Sequence, residues 1–167
     1  MKLDLHDINF QQMGQTCFGH SARRTANLLT RHFNRHLAPF GLEITQAQLL
    51  AVIASGNALS ASDIARFLGI ERSTLARNLK PLEAAGLISR EKTSGRKVVP
   101  SLLPKGQALV CQLHSTWQTA QKELTDHLGD ETAAAIQSRM SDLRKAVRHL
   151  EQASPSNKEP DNSAGAA

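Results

Sequence analysis

At 167 residues with 40% hydrophobic side chains, the chain is long enough for one packed domain and too apolar for wholesale disorder. Aromatics make up only 4%, with one Trp and no Tyr, which suits helices packed through Leu, Ile, Val and Ala better than a β-sandwich. Cys17 and Cys111 are too few for a disulfide framework and form no CxxC pair, while the net charge of +5 points to an anionic partner.

The opening segment MKLDLHDINFQQ has no apolar stretch of signal-peptide length, and no run approaches eighteen apolar residues. A soluble, cytoplasmic chain with no membrane partner is expected. From about Gln11 to Ala38, Phe18, Ala22, Ala26, Leu29, Phe33 and Leu37 recur at steps of three and four, which predicts one long helix ending at Ala38-Pro39-Phe40-Gly41. A second helix is predicted from Thr45, as its cap, to about Ser55. A third runs from Asp63 to Leu68, with Ser60 or Ser62 as cap and Gly69 as its end. The fourth spans about Arg72 to Ala85 and stops at Gly86, the glycine expected just past a helix C-terminus.

Leu87-Ile88-Ser89-Arg90 is short and β-prone. The polar residues 91–97 read as a hairpin, and Val98 to Leu103 as its return strand. Pro104 suits the first turn of a long helix with Leu109, Leu113, Trp117, Ala120, Leu124 and Leu128 on one face. After Gly129, Ile136, Met140, Leu143, Val147 and Leu150 are spaced 4-3-4-3 along a last helix. Residues 153–167, rich in Pro, Ser, Asn and Ala without apolar period, read as a disordered tail.

Charge is uneven. Between Arg66 and Lys105 nine Lys/Arg face three acids, whereas the remainder holds eleven basic and twelve acidic residues. A polyanion is therefore expected to act on residues 66–105. The order helix, helix, turn, helix, hairpin across 45–103 is that of a winged helix-turn-helix. In its second helix Leu75, Leu79, Leu82 and Ala85 are predicted to point inward, leaving Ser73, Thr74, Arg77, Asn78 and Lys80 mostly toward solvent. Arg pairs bidentately with guanine, Asn with adenine, and Ser or Thr with base edges or backbone. Candidate DNA-contacting residues are thus Ser62, Arg72, Ser73, Thr74, Arg77, Asn78 and Lys80, joined by Arg96 and Lys97 at the hairpin tip, where a cation can enter a narrow minor groove. A solvated helix face and an ordinary charged hairpin are the bland alternatives.

The run from Leu68 to Ile88, LGIERSTLARNLKPLEAAGLI, resembles the recognition helix and wing entry of the MarR family of regulators. Leu42 to Leu50 resembles that family's GLT-x-x-Q-x-x-LL segment, and Pro104-Lys105-Gly106 its post-wing T-P-K-G. The resemblance as a whole spans about residues 15 to 150. The resemblance implies a mainly α fold with a minor β component: a winged helix-turn-helix with long N- and C-terminal dimerisation helices and a two-stranded β wing. The implied organisation is an N-terminal dimerisation region (1–44), a DNA-binding lobe (45–103) and C-terminal dimerisation helices (104–152). It also implies a homodimeric repressor bound to a pseudo-palindromic duplex operator. Two departures stand out. Ser94-Gly95-Arg96 keeps the wing arginine but not the family's Asp, and Leu103 replaces the Thr whose hydroxyl would cap the next helix, a loss of about 1 kcal/mol.

Family members release DNA on binding a small, often aromatic anion, or on thiol oxidation. Cys17-Phe18 resembles the sensing cysteine of the peroxide-responsive members, although these use tyrosines that this chain lacks. A buried cysteine acting as a small hydrophobe is the alternative. Cys17, His20, Arg24, His36 and Trp117 form the candidate ligand or redox set for an organic anion. His20, His32, His36 and His114 lack identifiable acidic partners, so no metal site and no cofactor is expected. No G-x-S-x-G, P-loop, HExxH or paired-carboxylate pattern supports an enzyme. The remaining alternatives are a winged-helix protein-interaction module without specific DNA binding, and a metal-responsive regulator.

Overall fold

A computed structural model describes residues 9–56, 60–92 and 98–153. Of the tail predicted over residues 153–167, Ala153 instead closes the last helix, while the rest, like the hairpin tip with Arg96 and Lys97, lies outside the described residues. The chain divides into two compact units, residues 1–120 and 121–167. Among the described residues no single helix is long and apolar enough to cross a membrane.

The first unit begins with α1 (Phe10–Thr16) and α2 (Phe18–Leu37), where the sequence predicted one continuous helix. The break falls at Cys17. Its backbone is extended (φ −73°, ψ 113°) and its Sγ accepts the His20 amide at 3.5 Å, so Cys17 caps α2. A short 3₁₀ turn, Ala38–Phe40, closes on Gly41 at φ +64°. Next, α3 (Ile44–Ala54) is capped by Glu43 rather than the expected Thr45. Gln46 Oε1 accepts the Glu43 amide at 2.9 Å, and Asn34 of α2 accepts the Ile44 amide at 2.7 Å. Two orphan donors at that helix start are thereby satisfied, one of them across elements.

Helix α4 (Ala61–Leu68) has Ser60 as its cap, which places Ser62 inside the first turn. The Ser60 hydroxyl accepts the Asp63 amide at 3.3 Å while the Asp63 carboxylate accepts the Ser60 amide at 3.2 Å, a reciprocal capping box. Gly69, at φ +65°, turns the chain into α5 (Arg72–Ala84). Leu75, Leu79 and Leu82 are buried as the spacing predicted, but Ala85 is exposed because α5 ends before it. Pro81 has no amide to give the Arg77 carbonyl one turn back, which its exposed position tolerates.

Strands β1 (Ile88–Lys92) and β2 (Val98–Leu102) pair antiparallel, with Ile88 opposite Leu102 and Arg90 opposite Pro100. Helix α6 (Pro104–Leu128) follows without a side-chain cap at Leu103. The Leu103 amide instead donates to the Leu87 carbonyl at 3.0 Å, which ties the helix start to the wing entry. The core of this unit is Leu49, Leu50, Ile64, Leu75, Leu79, Leu82 and Ile88, drawn from α3, α4, α5 and β1. Each such side chain contributes roughly 1.5–3 kcal/mol on burial, so the α4–α5 pair is held as one rigid piece.

The second unit contains the end of α6 and α7 (Asp130–Ala153), joined at Gly129. No α7 side chain is buried. Its 4-3-4-3 stripe lies open, with Val147 47% and Leu150 67% exposed.

Candidate functional site

Three buried leucines fix the rotation of α5, and its opposite face carries the polar candidates. Arg72, Ser73, Arg77 and Lys80 are exposed, whereas Thr74 and Asn78 are half-buried. Arg77 Nη2 donates to Thr74 Oγ1 at 3.4 Å, so the half-buried threonine steadies the arginine at the N-terminal half of the helix. Ser62 sits half-buried in the first turn of α4. Among the described residues Arg72, Arg77 and Lys80 form no ion pair, whereas Arg66 contacts Asp63 at 3.4 Å. These cations therefore remain available to an anionic partner.

The wing is oriented from its base. Arg90 of β1 donates a short hydrogen bond to Glu83 of α5, a tie for which the sequence holds no signal. That bond holds the Glu83 carboxyl below its usual range and raises the Arg90 guanidinium. Across the strands the hydroxyls of Ser89 and Ser101 meet at 3.4 Å.

The post-wing Pro104-Lys105-Gly106 has a division of labour. Pro104 opens α6, Lys105 Nζ donates to the Ala85 carbonyl at the end of α5 (2.9 Å), and Gly106 lies against the Leu87 carbonyl.

A cavity of about 280 Å³ opens between α2, α3 and α6. Leu37, Ile44, Ala47, Ala51, Val110 and Leu113 make it apolar, Phe33 and Trp117 give it aromatic walls, and His36, Gln48, His114 and Thr116 add polar groups. Among the described residues, no Lys, Arg, Asp or Glu lines it. The His114 ring stacks on Trp117 with centroids 6.1 Å apart. His32 lies next to this wall but is occupied: Nε2 meets the Ala120 carbonyl at 2.9 Å and Nδ1 meets Arg35 at 3.4 Å.

The five sequence candidates for a ligand site are not gathered in one place. His36 and Trp117 share the cavity. His20 and Arg24 line a separate depression on α2, and Cys17 is exposed at the α2 cap rather than buried. Phe33, Gln48, His114 and Thr116 are among the cavity residues that sequence reasoning missed. The helical period marked Phe33 as core, and nothing local distinguishes Gln48 or His114 from surface positions.

This arrangement of a rigid helix pair, a cationic second helix and a β wing is a winged helix-turn-helix. A MarR-family sequence profile matches residues 40–97. The transcriptional regulator MosR of M. tuberculosis is 32% identical, with 81% of this chain and 98% of that chain covered at a TM-score of 0.71. MosR in complex with DNA matches at 30% identity, 80% and 98% coverage and a TM-score of 0.72. The uncharacterised HTH-type regulator YwoH of Bacillus subtilis is 27% identical over 78 residues, 47% of this chain. The chain spans 57% of the length of that curated relative. The chain belongs to the MarR family of winged-helix transcriptional regulators.

Proposed function

We propose that the protein is a sequence-specific duplex-DNA-binding regulator, acting as a homodimer on a pseudo-palindromic operator and released by a small aromatic effector. The observation that carries this reading is the two-faced α5. Leu75, Leu79 and Leu82 anchor it to the core while Arg72, Ser73, Arg77 and Lys80 stand exposed along its other side. Bound DNA in MosR, the 30% identical relative, supports the same partner here. Two copies would cover the exposed α7 stripe and set two α5 helices about one helical turn apart on the duplex.

The effector reading rests on the cavity between α2, α3 and α6. Its volume lies near the lower end of small-molecule pockets, which suits a one- or two-ring compound between Phe33 and Trp117. Occupancy would shift the balance between subunit arrangements that match the operator and those that do not, giving a repressor relieved by its ligand. Titration of random and operator duplexes at low and raised salt tests the DNA reading. Affinity that falls steeply with salt supports it, and no affinity at either ionic strength overturns it.

A second trigger is favoured by one observation, the accessibility of Cys17 at the α2 cap. A peroxide would transfer one oxygen atom to the Cys17 thiolate, leaving a sulfenate and releasing the alcohol or water. Cys17→Ser should abolish peroxide-induced release; retained release places the switch elsewhere.

A further inference from the structure

Residues 8–42 contain no Asp or Glu but hold Arg23, Arg24, Arg31 and Arg35 together with His20, His32 and His36. The near-neutral balance outside residues 66–105 hides this second basic stretch, because the compensating acids lie elsewhere in the chain. The structure places it on one helix. At about 100° per residue, His20, Arg23, Arg24, Asn27 and Arg31 fall on one side of α2. Phe18, Ala22, Leu29, Phe33 and His36 fall on the other, where Phe33 and His36 meet the cavity. The polar set lines its own surface depression of about 420 Å³. Arg23, Arg24 and Arg31 are exposed and form no ion pair among the described residues.

We propose that this row on α2 is a second, sequence-independent contact for the phosphate backbone of duplex DNA, outside the recognition helix and the wing. The inference rests on the DNA-binding reading above and extends its surface. Length selects the ligand. From His20 to Arg31 the row runs about 16 Å at 1.5 Å per residue, far longer than one or two phosphates, while duplex DNA offers a charge every ~1.7 Å. A membrane surface fits poorly, because an interfacial helix must lay its apolar face into the bilayer. On α2 the arginines lie opposite that face, which packs inward at Phe33 and Leu37. Arginine and asparagine side chains are also among the usual donors to phosphate oxygens.

The test is the salt dependence of binding to a long random-sequence duplex of about three helical turns, comparing the full-length chain with the triple variant Arg23→Gln, Arg24→Gln, Arg31→Gln. The three positions are exposed, so folding should persist, with an unchanged circular-dichroism melt as the check. The slope of log affinity against log salt should fall in magnitude by about 0.9 for each phosphate that is no longer neutralised, up to about 2.7. The matched control Arg139→Gln, Arg144→Gln, Arg148→Gln on α7 should leave the slope alone. An unchanged slope in the α2 variant, or an equal drop in the α7 control, overturns the α2 contact and leaves the regulator reading standing. A wild-type chain with no salt-dependent affinity overturns both.

Discussion

Gly106 sits so close to the Leu87 carbonyl that a Cβ at position 106 would lie 2.1 Å from that oxygen and 3.3 Å from Leu102 Cδ2. The first turn of α6 therefore touches the backbone that carries α5 into the wing. The same junction holds the Leu103 amide on Leu87 and the Lys105 ammonium on Ala85. Gly106→Ala should force these elements apart at a cost of about 2–3 kcal/mol, lowering the thermal midpoint by roughly 5–10 °C. A midpoint within a degree of wild type would show that the junction yields freely.

Arg77 is exposed on the leading half of α5 and steadied by Thr74. Arg77→Ala should cut discrimination between operator and scrambled duplex by about 1–3 kcal/mol if the guanidinium reads a base. Lys80→Ala should instead weaken both duplexes alike. Competition binding separates the two, and undiminished discrimination in the Arg77 variant makes it a backbone contact.

The Glu83–Arg90 hydrogen bond depresses the Glu83 carboxyl below its ordinary value of 4.5. A carboxyl with a lower pKa folded than unfolded adds stability above the unfolded value, and loses it as pH falls through the folded one. Glu83→Gln should therefore be less stable than wild type near neutral pH, with the gap closing below 4.5. Paired melts across that range are the measurement. A gap that stays constant into acid would mean that the ionised pair is not what holds α5 to β1.

Trp117 is the chain's one tryptophan and forms a wall of the cavity. Aromatic ligands should therefore alter its fluorescence. Because no Lys or Arg among the described residues lines the cavity, p-hydroxybenzaldehyde should bind at least as tightly as p-hydroxybenzoate. Strong preference for the carboxylate would bring a cation from outside the described lining into play. Phe33→Ala should weaken both ligands.

No side chain of α7 is buried, yet Ile136, Leu143, Val147 and Leu150 form one apolar stripe. Val147→Glu should separate the subunits, read as a halved mass in sedimentation. An intact dimer would move the interface off this stripe.

The helix-turn-helix was legible in the sequence because its determinants act within a few residues. The Ser60–Asp63 capping box, Gly69 and Gly86 at positive φ, and the Leu75, Leu79, Leu82 spacing are short-range effects of cap chemistry, backbone freedom and helical period. The exposed polar face of α5 followed from the same spacing. The Cys17 break did not, because the apolar period continues through it and only the local backbone shows the cap. Tertiary structure alone decided which side chains share a site. His36 and Trp117 meet because α2 and α6 pack around a common cavity, while His20 and Arg24, on the same helix as His36, face its other side. The Asn34 cap on α3, the Arg90 tie to Glu83 and the Leu87–Gly106 approach likewise join separate elements, for which a linear sequence carries no periodic signal.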